Sequence, residues 1–239
     1  MLSFGTHCPR RARRLLSFTE MARARMIFGL SMNTGKDVNE GGFPYPWDAT
    51  NARAILSWTI EHGLDHLLVG LELGNEQNTK YSAEKIAHSF AALHNLTLEL
   101  WPDGARRPRL FGPDPHSLHD ATGSQLEWIA DFLRHCDALG VPVEGATHHE
   151  YIEVDPTAAG FTSPTRLALN AAIAAAVNHT VRSVSRTVGI WGGEIGPHNG
   201  GSPPCDHSSM RWAVFGDSFW YADALAAKAR HGYAGFCRQ

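Results

Sequence analysis

Short apolar runs alternate with longer amphipathic segments from about residue 26 to the end of the chain. Short apolar runs bounded by turn residues are typical of buried strands, and apolar residues spaced three or four apart are typical of helices. The pattern predicts strands at residues 26–32, 66–73, 109–112, 143–151, 188–193 and 233–237. It predicts helices at residues 48–62, 82–95, 124–139, 164–184 and 208–231.

Two of the predicted helices carry clear boundary signals. Asp48 suits the first helix as its N-cap, and Gly63 suits the position after its end. Ser124 and Glu127 form a capping box at the start of the third predicted helix. These signals support the alternation of strands and helices along the chain.

Strand–helix alternation predicts an α/β fold with a parallel sheet, either doubly wound or a (β/α)8 TIM barrel. A dinucleotide-binding sheet would show G-x-G-x-x-G after an early strand, and the chain has none there. Polar residues instead follow the carboxyl ends of the strands, where barrel enzymes place their chemistry. They are Asn33, Asn75, Glu76, Asp114, His148, His149 and Glu194. We therefore predict a barrel.

The barrel predicted here is incomplete, because only about six strands are found and a closed barrel of this kind needs eight. A fragment, a truncated gene model, or a companion chain that supplies the missing strands would each explain the number. Residues 1–25 contain Arg10, Arg11, Arg13 and Arg14, and we predict a disordered Arg-rich segment ahead of the partial barrel at 26–239.

Charge and cysteine spacing exclude several kinds of partner. The net charge of −3 gives no footprint for nucleic acid. Four cysteines lie far apart without a C-x-x-C pair, so zinc-ribbon and thioredoxin-type sites are excluded and one or two disulfides stay open. No apolar run reaches the length of a transmembrane segment, and no signal peptide is visible. Two glycosylation sequons begin at Asn95 and Asn178.

The most informative motif is Asn75-Glu76 at the end of the second predicted strand. An amide beside a carboxylate at that position suits a glycosidase proton donor, with Asn75 holding a sugar hydroxyl. Such an enzyme needs a second carboxylate about 5 Å away if it retains configuration and about 6.5–9.5 Å away if it inverts. Glu194 is the best candidate, because it ends a buried strand and small residues flank it.

Other polar residues are weaker candidates. We expect Glu72 to be a buried charge partner, Asp114 to be a turn cap or a site residue, and Glu150 and Glu153 to lie in a solvated loop. Of the adjacent His148 and His149, one should point inward and the other outward. The inward histidine and Tyr151 would contact sugar hydroxyls or orient Glu194, and our preferred inward residue is His148. The histidines show no metal-ligand spacing, so no metal is predicted.

Several of these motifs together resemble glycoside hydrolase family 79, the heparanase and β-glucuronidase family. The resemblance covers about residues 26–239. It is carried by Leu71-Glu72-Leu73-Gly74-Asn75-Glu76-Gln77-Asn78, Phe111-Gly112-Pro113-Asp114, His148-His149-Glu150-Tyr151, Trp191-Gly192-Gly193-Glu194 and Phe236-Cys237-Arg238-Gln239.

The resemblance implies a retaining glycosidase that cleaves β-glucuronide linkages without a cofactor. It implies Glu76 as acid/base, Glu194 as nucleophile and Asn75 as the contact for the 2-hydroxyl. Gly200 and Gly201 would receive the uronic carboxylate through their backbone amides, with Gln239 beside them. The family's β-sandwich domain and its first two strands are absent from this chain.

The resemblance also implies the substrate and the location. The substrate would be an anionic polysaccharide or glycoprotein glycan, and the location extracellular, lysosomal or vacuolar, with membrane association open. Glu153 and Asp155 stand where heparanase has a basic residue, which disfavours a highly sulfated substrate. Alternatives are a glycan-binding relative without activity, a glycosidase for neutral sugars, and an inactive fragment.

Overall fold

The structure is a computed structural model that describes residues 8–32, 46–116, 118–155, 157–199 and 215–238. The chain divides into two compact units. The first comprises Met1–Pro113 and Phe132–Glu144, and the second comprises Asp114–Asp131 and Gly145–Gln239.

The first unit is built from three parallel strands and the helices between them. The elements are α1 (Cys8–Met21), β1 (Met26–Leu30), α2 (Thr50–Glu61), β2 (Leu68–Leu73), α3 (Ala83–Leu100) and β3 (Arg109–Gly112). Strand β2 lies between β1 and β3, and both pairings are parallel. The three strands confirm the first three predicted from the sequence.

The core of the first unit lies between this sheet and α3. Leu71 of β2 is fully buried and is paired with Phe28 on one side and Leu110 on the other. Phe90 of α3 packs against Gly112, where a Cβ atom would come within 2.4 Å of the Phe90 ring. Phe132 meets the edge of Phe90 with ring centroids 4.9 Å apart. The glycine thus lets the helix approach the end of β3 closely.

The second unit repeats the pattern with three further strands. Helix α4 (Ser124–Ala138) begins in it and ends in the first unit, and the remaining elements follow in chain order. They are β4 (Val143–Tyr151), α5 (Ala158–Phe161), α6 (Pro164–Val184), β5 (Gly189–Gly196), α7 (Asp217–Arg230) and β6 (Gly235–Arg238). Strand β5 lies between β4 and β6, again with parallel pairing.

The N-terminal segment differs from its prediction, since residues 8–21 form helix α1 and are not disordered. Ala12, Leu16 and Thr19 are buried at a spacing of four and three residues, while Arg11, Arg13 and Arg14 are exposed. The arginines therefore occupy the outer face of an amphipathic helix. Because the segment is rich in arginine, its sequence did not indicate a helix: only three small or apolar side chains form the buried face.

Several element ends also differ from the prediction. Helix α3 continues to Leu100, and β5 continues to Gly196, so Glu194 lies inside the strand rather than at its end. The sequons lie within helices: Asn95 is in α3, and Asn178 in α6 donates its side-chain amide to the carbonyl of His231. No helix among the described residues has the length and hydropathy of a membrane span.

Candidate active site

Strand β5 contains one extra residue relative to β4, and this residue determines which residue of β4 is paired with Glu194. His148 of β4 is paired with Gly192, but the next residue, His149, is paired with Glu194. Gly193 is therefore the extra residue of a β-bulge. Paired residues of neighbouring strands point to the same face of a sheet. The bulge thus pairs Glu194 with His149 and brings both side chains onto one face.

Two side chains of β4 contact the carboxylate of Glu194. The hydroxyl of Tyr151 donates a hydrogen bond to Oε1. Nδ1 of His149 lies 3.7 Å from Oε2, at ion-pair distance. Tyr151 is fully buried, whereas the Glu194 side chain is 27% exposed. A buried tyrosine thus orients a carboxylate that a substrate can still reach.

Asp114 joins the same group from the loop that follows β3. Its Oδ1 lies 3.5 Å from Nε2 of His149, and both side chains are buried. The backbone amide of Asp114 donates to Oγ1 of Thr147 at 3.1 Å. A Cβ atom on Gly193 would come within 2.4 Å of the same Oδ1, so only glycine leaves room for the carboxylate. The sequence left the role of Asp114 open, and the structure places it in the site.

His149, and not His148, lies beside Glu194. His148 is fully buried on the other face of β4, where its Nε2 shares a hydrogen bond with the hydroxyl of Tyr233 at 2.9 Å. Burial, with the charge of Lys228 nearby, lowers the pKa of His148 to about 3. The substrate contact predicted for His148 is corrected accordingly: His149 occupies the inward position.

Glu150 also departs from its prediction, because it is fully buried in β4 rather than solvated in a loop. Nζ of Lys228, on α7, donates to its Oε1 at 2.7 Å and to the carbonyl of Asn170 at 3.3 Å. Burial raises the pKa of Glu150, and the nearby ammonium of Lys228 opposes that rise. Nothing in the local sequence of α7 marked Lys228 as the partner.

Glu76 lies in the first unit, just beyond the end of β2. It adopts a left-handed conformation with φ of 52° and precedes a short 3-10 turn at Gln77–Thr79. Thr79 donates its hydroxyl to the carbonyl of Glu76 at 3.3 Å, and Gln77 donates its side-chain amide to the carbonyl of Asn75. The Glu76 side chain is half-buried and Asn75 is exposed. Both stand at the carboxyl end of a parallel strand.

The turn explains why alternation along β2 does not extend to Glu76. Gly74, with φ of 85°, accepts no side chain without meeting Met32 and Gln77. The strand has already ended at Leu73. Alternation along the strand therefore does not place Glu76 on the face of Glu72. Gly200, Gly201, Gln239 and Asn33 lie outside the described residues.

The chain matches the model of one protein family over most of its length. The model of the N-terminal domain of glycosyl hydrolase family 79 matches residues 1–226. The chain belongs to this family. The predicted resemblance is confirmed, and it extends over the N-terminal segment that contains α1.

Two plant proteins match nearly the whole chain. Heparanase-like proteins 2 and 1 of Arabidopsis thaliana are 24% and 26% identical to it over 234 residues, which is 93% and 94% of this chain. The chain spans 40% of the length of each relative.

A solved structure supports the fold of the family 79 chain. The structure of a glucosidase from Croceicoccus marinus matches with a TM-score of 0.58 at 12% identity, covering 93% of this chain and 44% of that one. The predicted fold class, an incomplete (β/α)8 barrel, is confirmed, with six parallel strands among the described residues.

Proposed function

We propose that this protein is a retaining glycosidase that cleaves β-glucuronide linkages in the sugar chains of glycosaminoglycan-like polysaccharides or proteoglycans. Glu194 is the nucleophile and Glu76 is the acid/base. The substrate is an anionic polysaccharide or glycoprotein glycan, and no cofactor takes part in the reaction.

The observation that carries this proposal is the setting of Glu194 in a chain of family 79. The Tyr151 hydroxyl fixes one carboxylate oxygen, and His149 lies beside the other. A nucleophilic carboxylate must be ionised, oriented and open to the substrate. Glu194 is partly exposed while its two neighbours are buried. This arrangement suits a nucleophile better than a solvated or structural carboxylate.

The reaction follows from the two carboxylates in two steps. In the first, Glu194 attacks the anomeric carbon, the glycosidic C–O bond breaks, and Glu76 gives its proton to the leaving oxygen. In the second, Glu76 takes a proton from water, the water oxygen attacks the same carbon, and Glu194 leaves as a carboxylate. Two inversions return the original configuration at that carbon.

The substrate assignment rests on the family resemblance and on local charge. Asn75 would hold the 2-hydroxyl, and Gly200, Gly201 and Gln239 would receive the uronic carboxylate. Glu153 lies just beyond Tyr151 and pairs with His198 at 2.9 Å. A carboxylate there repels sulfate groups, so a weakly sulfated or unsulfated glucuronide fits better than a highly sulfated one.

The test is turnover of 4-nitrophenyl β-glucuronide by the protein as its gene encodes it. We expect Glu194→Gln and Glu76→Gln to lose activity, while matched exposed controls, Glu127→Gln and Glu84→Gln, keep it. A 2-deoxy-2-fluoro-glucuronosyl fluoride should label Glu194 covalently, because the 2-fluorine slows both steps and the fluoride leaving group restores the rate of the first step only. Activity that survives Glu194→Gln, or a product of inverted configuration, would exclude the proposed mechanism.

Binding without cleavage is the second candidate function. Calorimetry with an unsulfated glucuronide-terminated disaccharide separates the two functions. Binding by the wild type without turnover, unchanged by Glu194→Gln, would identify a glycan-binding protein.

A further inference from the structure

We propose that Asp114 is a positioning residue that holds His149 in its doubly protonated form against Glu194. The catalytic consequence rests on the proposed function, whereas the protonation of His149 does not. The three side chains belong to one unit of the structure. None of the sequence motifs pointed to this arrangement.

The imidazole of His149 lies between two carboxylates. Nε2 is 3.5 Å from Oδ1 of Asp114, and Nδ1 is 3.7 Å from Oε2 of Glu194. Both contacts are at ion-pair distance and are longer than a normal hydrogen bond. Each of the two carboxylates therefore contacts a different nitrogen of the ring.

The chemistry of imidazole restricts which protonation states fit this geometry. A neutral ring carries one N–H and one lone pair. Either neutral tautomer therefore turns a lone pair toward a carboxylate oxygen, to Asp114 in one case and to Glu194 in the other. The imidazolium presents an N–H to both. A proton on one of the carboxyl groups would also relieve the repulsion between the lone pair and the carboxylate oxygen. The 15N spectrum of His149 distinguishes this arrangement from the imidazolium.

The surroundings of Asp114 fix its carboxylate in this place. The residue has φ of 47°, and its amide is tied to Thr147. Its Oδ1 is buried and has no hydrogen bond among the described residues. A buried carboxylate oxygen without a donor is costly unless a positive charge lies beside it. The ion-pair contact with His149 supplies that charge, and the missing side chain of Gly193 makes the approach possible.

Other titratable groups around the ring do not replace Asp114. Tyr151 faces Glu194 and donates its proton there, so it offers no negative charge to the imidazole. His148 precedes His149 on the opposite face, and its lowered pKa keeps it neutral. Lys228 lies on that opposite face, paired with Glu150. Among these groups, Asp114 and Glu194 are the anions that contact the ring.

The positive charge has a consequence for the reaction. Glu194 loses its charge when it bonds to the sugar and regains it when water displaces it. An N–H of the imidazolium directed at Oε2 stabilises the carboxylate as it leaves in the second step, and before the first step it holds the same oxygen in place for attack. Asp114 keeps the proton on His149 while Glu194 is glycosylated, because its own charge does not change.

The direct test is the 15N spectrum of the histidine side chains of the wild-type protein at pH 7.5, without substrate. The signal of His149 is assigned as the one that disappears in His149→Gln. We expect both ring nitrogens of His149 to carry protons, and we expect one of them to lose its proton in Asp114→Asn. Asparagine tolerates a positive φ at least as well as aspartate does, so the backbone is retained. Asp120→Asn, a change at an exposed aspartate in the same unit, should leave the signal unchanged.

The kinetic test compares 4-nitrophenyl and phenyl β-glucuronides. We expect Asp114→Asn to lower kcat roughly 10- to 100-fold, which is the loss typical when the partner that orients a metal-binding histidine is removed, with KM changed little. The loss should be similar for both substrates, because the defect lies on the nucleophile side. A loss confined to the phenyl substrate would place the defect with the proton donor and overturn the assigned role.

The two proposals fail separately. A singly protonated His149 in the wild type overturns the role of Asp114, whatever the activity. A doubly protonated His149 in a protein that turns over no glucuronide upholds the charge arrangement and excludes the proposed function. An Asp114→Asn variant with unchanged kcat and an unchanged 15N signal overturns the inference completely.

Discussion

Lys228 and Glu150 form a buried ion pair, in which Nζ donates to Oε1 at 2.7 Å and both side chains are at most 1% exposed. It ties α7 to the face of β4 opposite to Tyr151 and His149. Breaking such a pair leaves one charge buried and uncompensated, which costs about 3–5 kcal/mol.

We therefore expect Lys228→Met to lower the free energy of unfolding by about 3–5 kcal/mol. Urea denaturation followed by far-UV circular dichroism measures the change. The double variant Glu150→Leu/Lys228→Met removes both charges and should recover most of the loss. If the double variant is as unstable as the single one, packing rather than the unpaired charge causes the loss.

His148 should make the protein less stable in acid. Its pKa is about 3 in the folded protein and about 6.5 when unfolded, since burial disfavours the charged ring. Between these two values the unfolded chain binds a proton that the folded chain does not. The contribution of His148 is therefore fully present above pH 6.5 and is lost as pH falls toward 3, by about 1.4 kcal/mol for each pH unit.

The difference between the wild type and His148→Gln isolates this contribution. Stability of the variant, measured by urea denaturation at pH 7.5, 5.5 and 4.5, should fall less steeply with acid than that of the wild type. His179, which is exposed on α6, provides the matched control as His179→Gln. Parallel curves for the wild type and His148→Gln would show that His148 is protonated in the folded protein.

Gly193→Ala should reduce activity without unfolding the protein. The new methyl group would meet Oδ1 of Asp114 at 2.4 Å and push it from His149. Displacements near 1 Å in an active site can cost about 100-fold in rate, so we expect a loss of that order in kcat/KM toward the aryl glucuronide. The control is Gly29→Ala, since open space surrounds the position of its Cβ atom. Equal activity of the two variants would contradict the tight contact.

Cys136 and Cys237 should differ sharply in reactivity. Neither of these two thiols is in a disulfide, and Cys136 is buried whereas Cys237 is exposed. Burial raises the pKa of Cys136 to about 12, which removes the reactive thiolate at neutral pH. Mass spectrometry after iodoacetamide treatment at pH 8 should find Cys237 modified within minutes and Cys136 modified only in urea. Modification of Cys136 at the same rate in the native protein would show that α4 opens readily.

Much of the fold could be predicted because strand and helix periodicities are local properties of the sequence. The bounds of β3, β4 and α6 were predicted without error. The N-terminal helix was missed because its buried stripe is short and its exposed face is unusually basic. Glu194 was expected just after a strand and is inside one, because the glycines that precede it gave no sign that pairing continues to Gly196.

The choice between His148 and His149 could not be made from the sequence. Alternation shows that adjacent residues point to opposite faces, but not which face is inward. Contacts such as Lys228 with Glu150 join residues far apart in the chain, and a single sequence carries no signal for them. Asp114 was visible as a polar residue after a strand, yet its partner His149 is fixed only by the tertiary structure.

The bulge at Gly193 makes the position of the proposed nucleophile tolerant of a missing glycine but sensitive to an added side chain. Deleting Gly193 would remove the bulge, restore regular pairing and leave Glu194 opposite His149 on the same face of the sheet. A relative that is one glycine shorter here would therefore keep its glutamate in the site, whereas a relative with a side chain in place of Gly193 would push against Asp114. The type of residue before the glutamate is thus a stricter test of an intact site than the number of residues that separate the glutamate from Trp191.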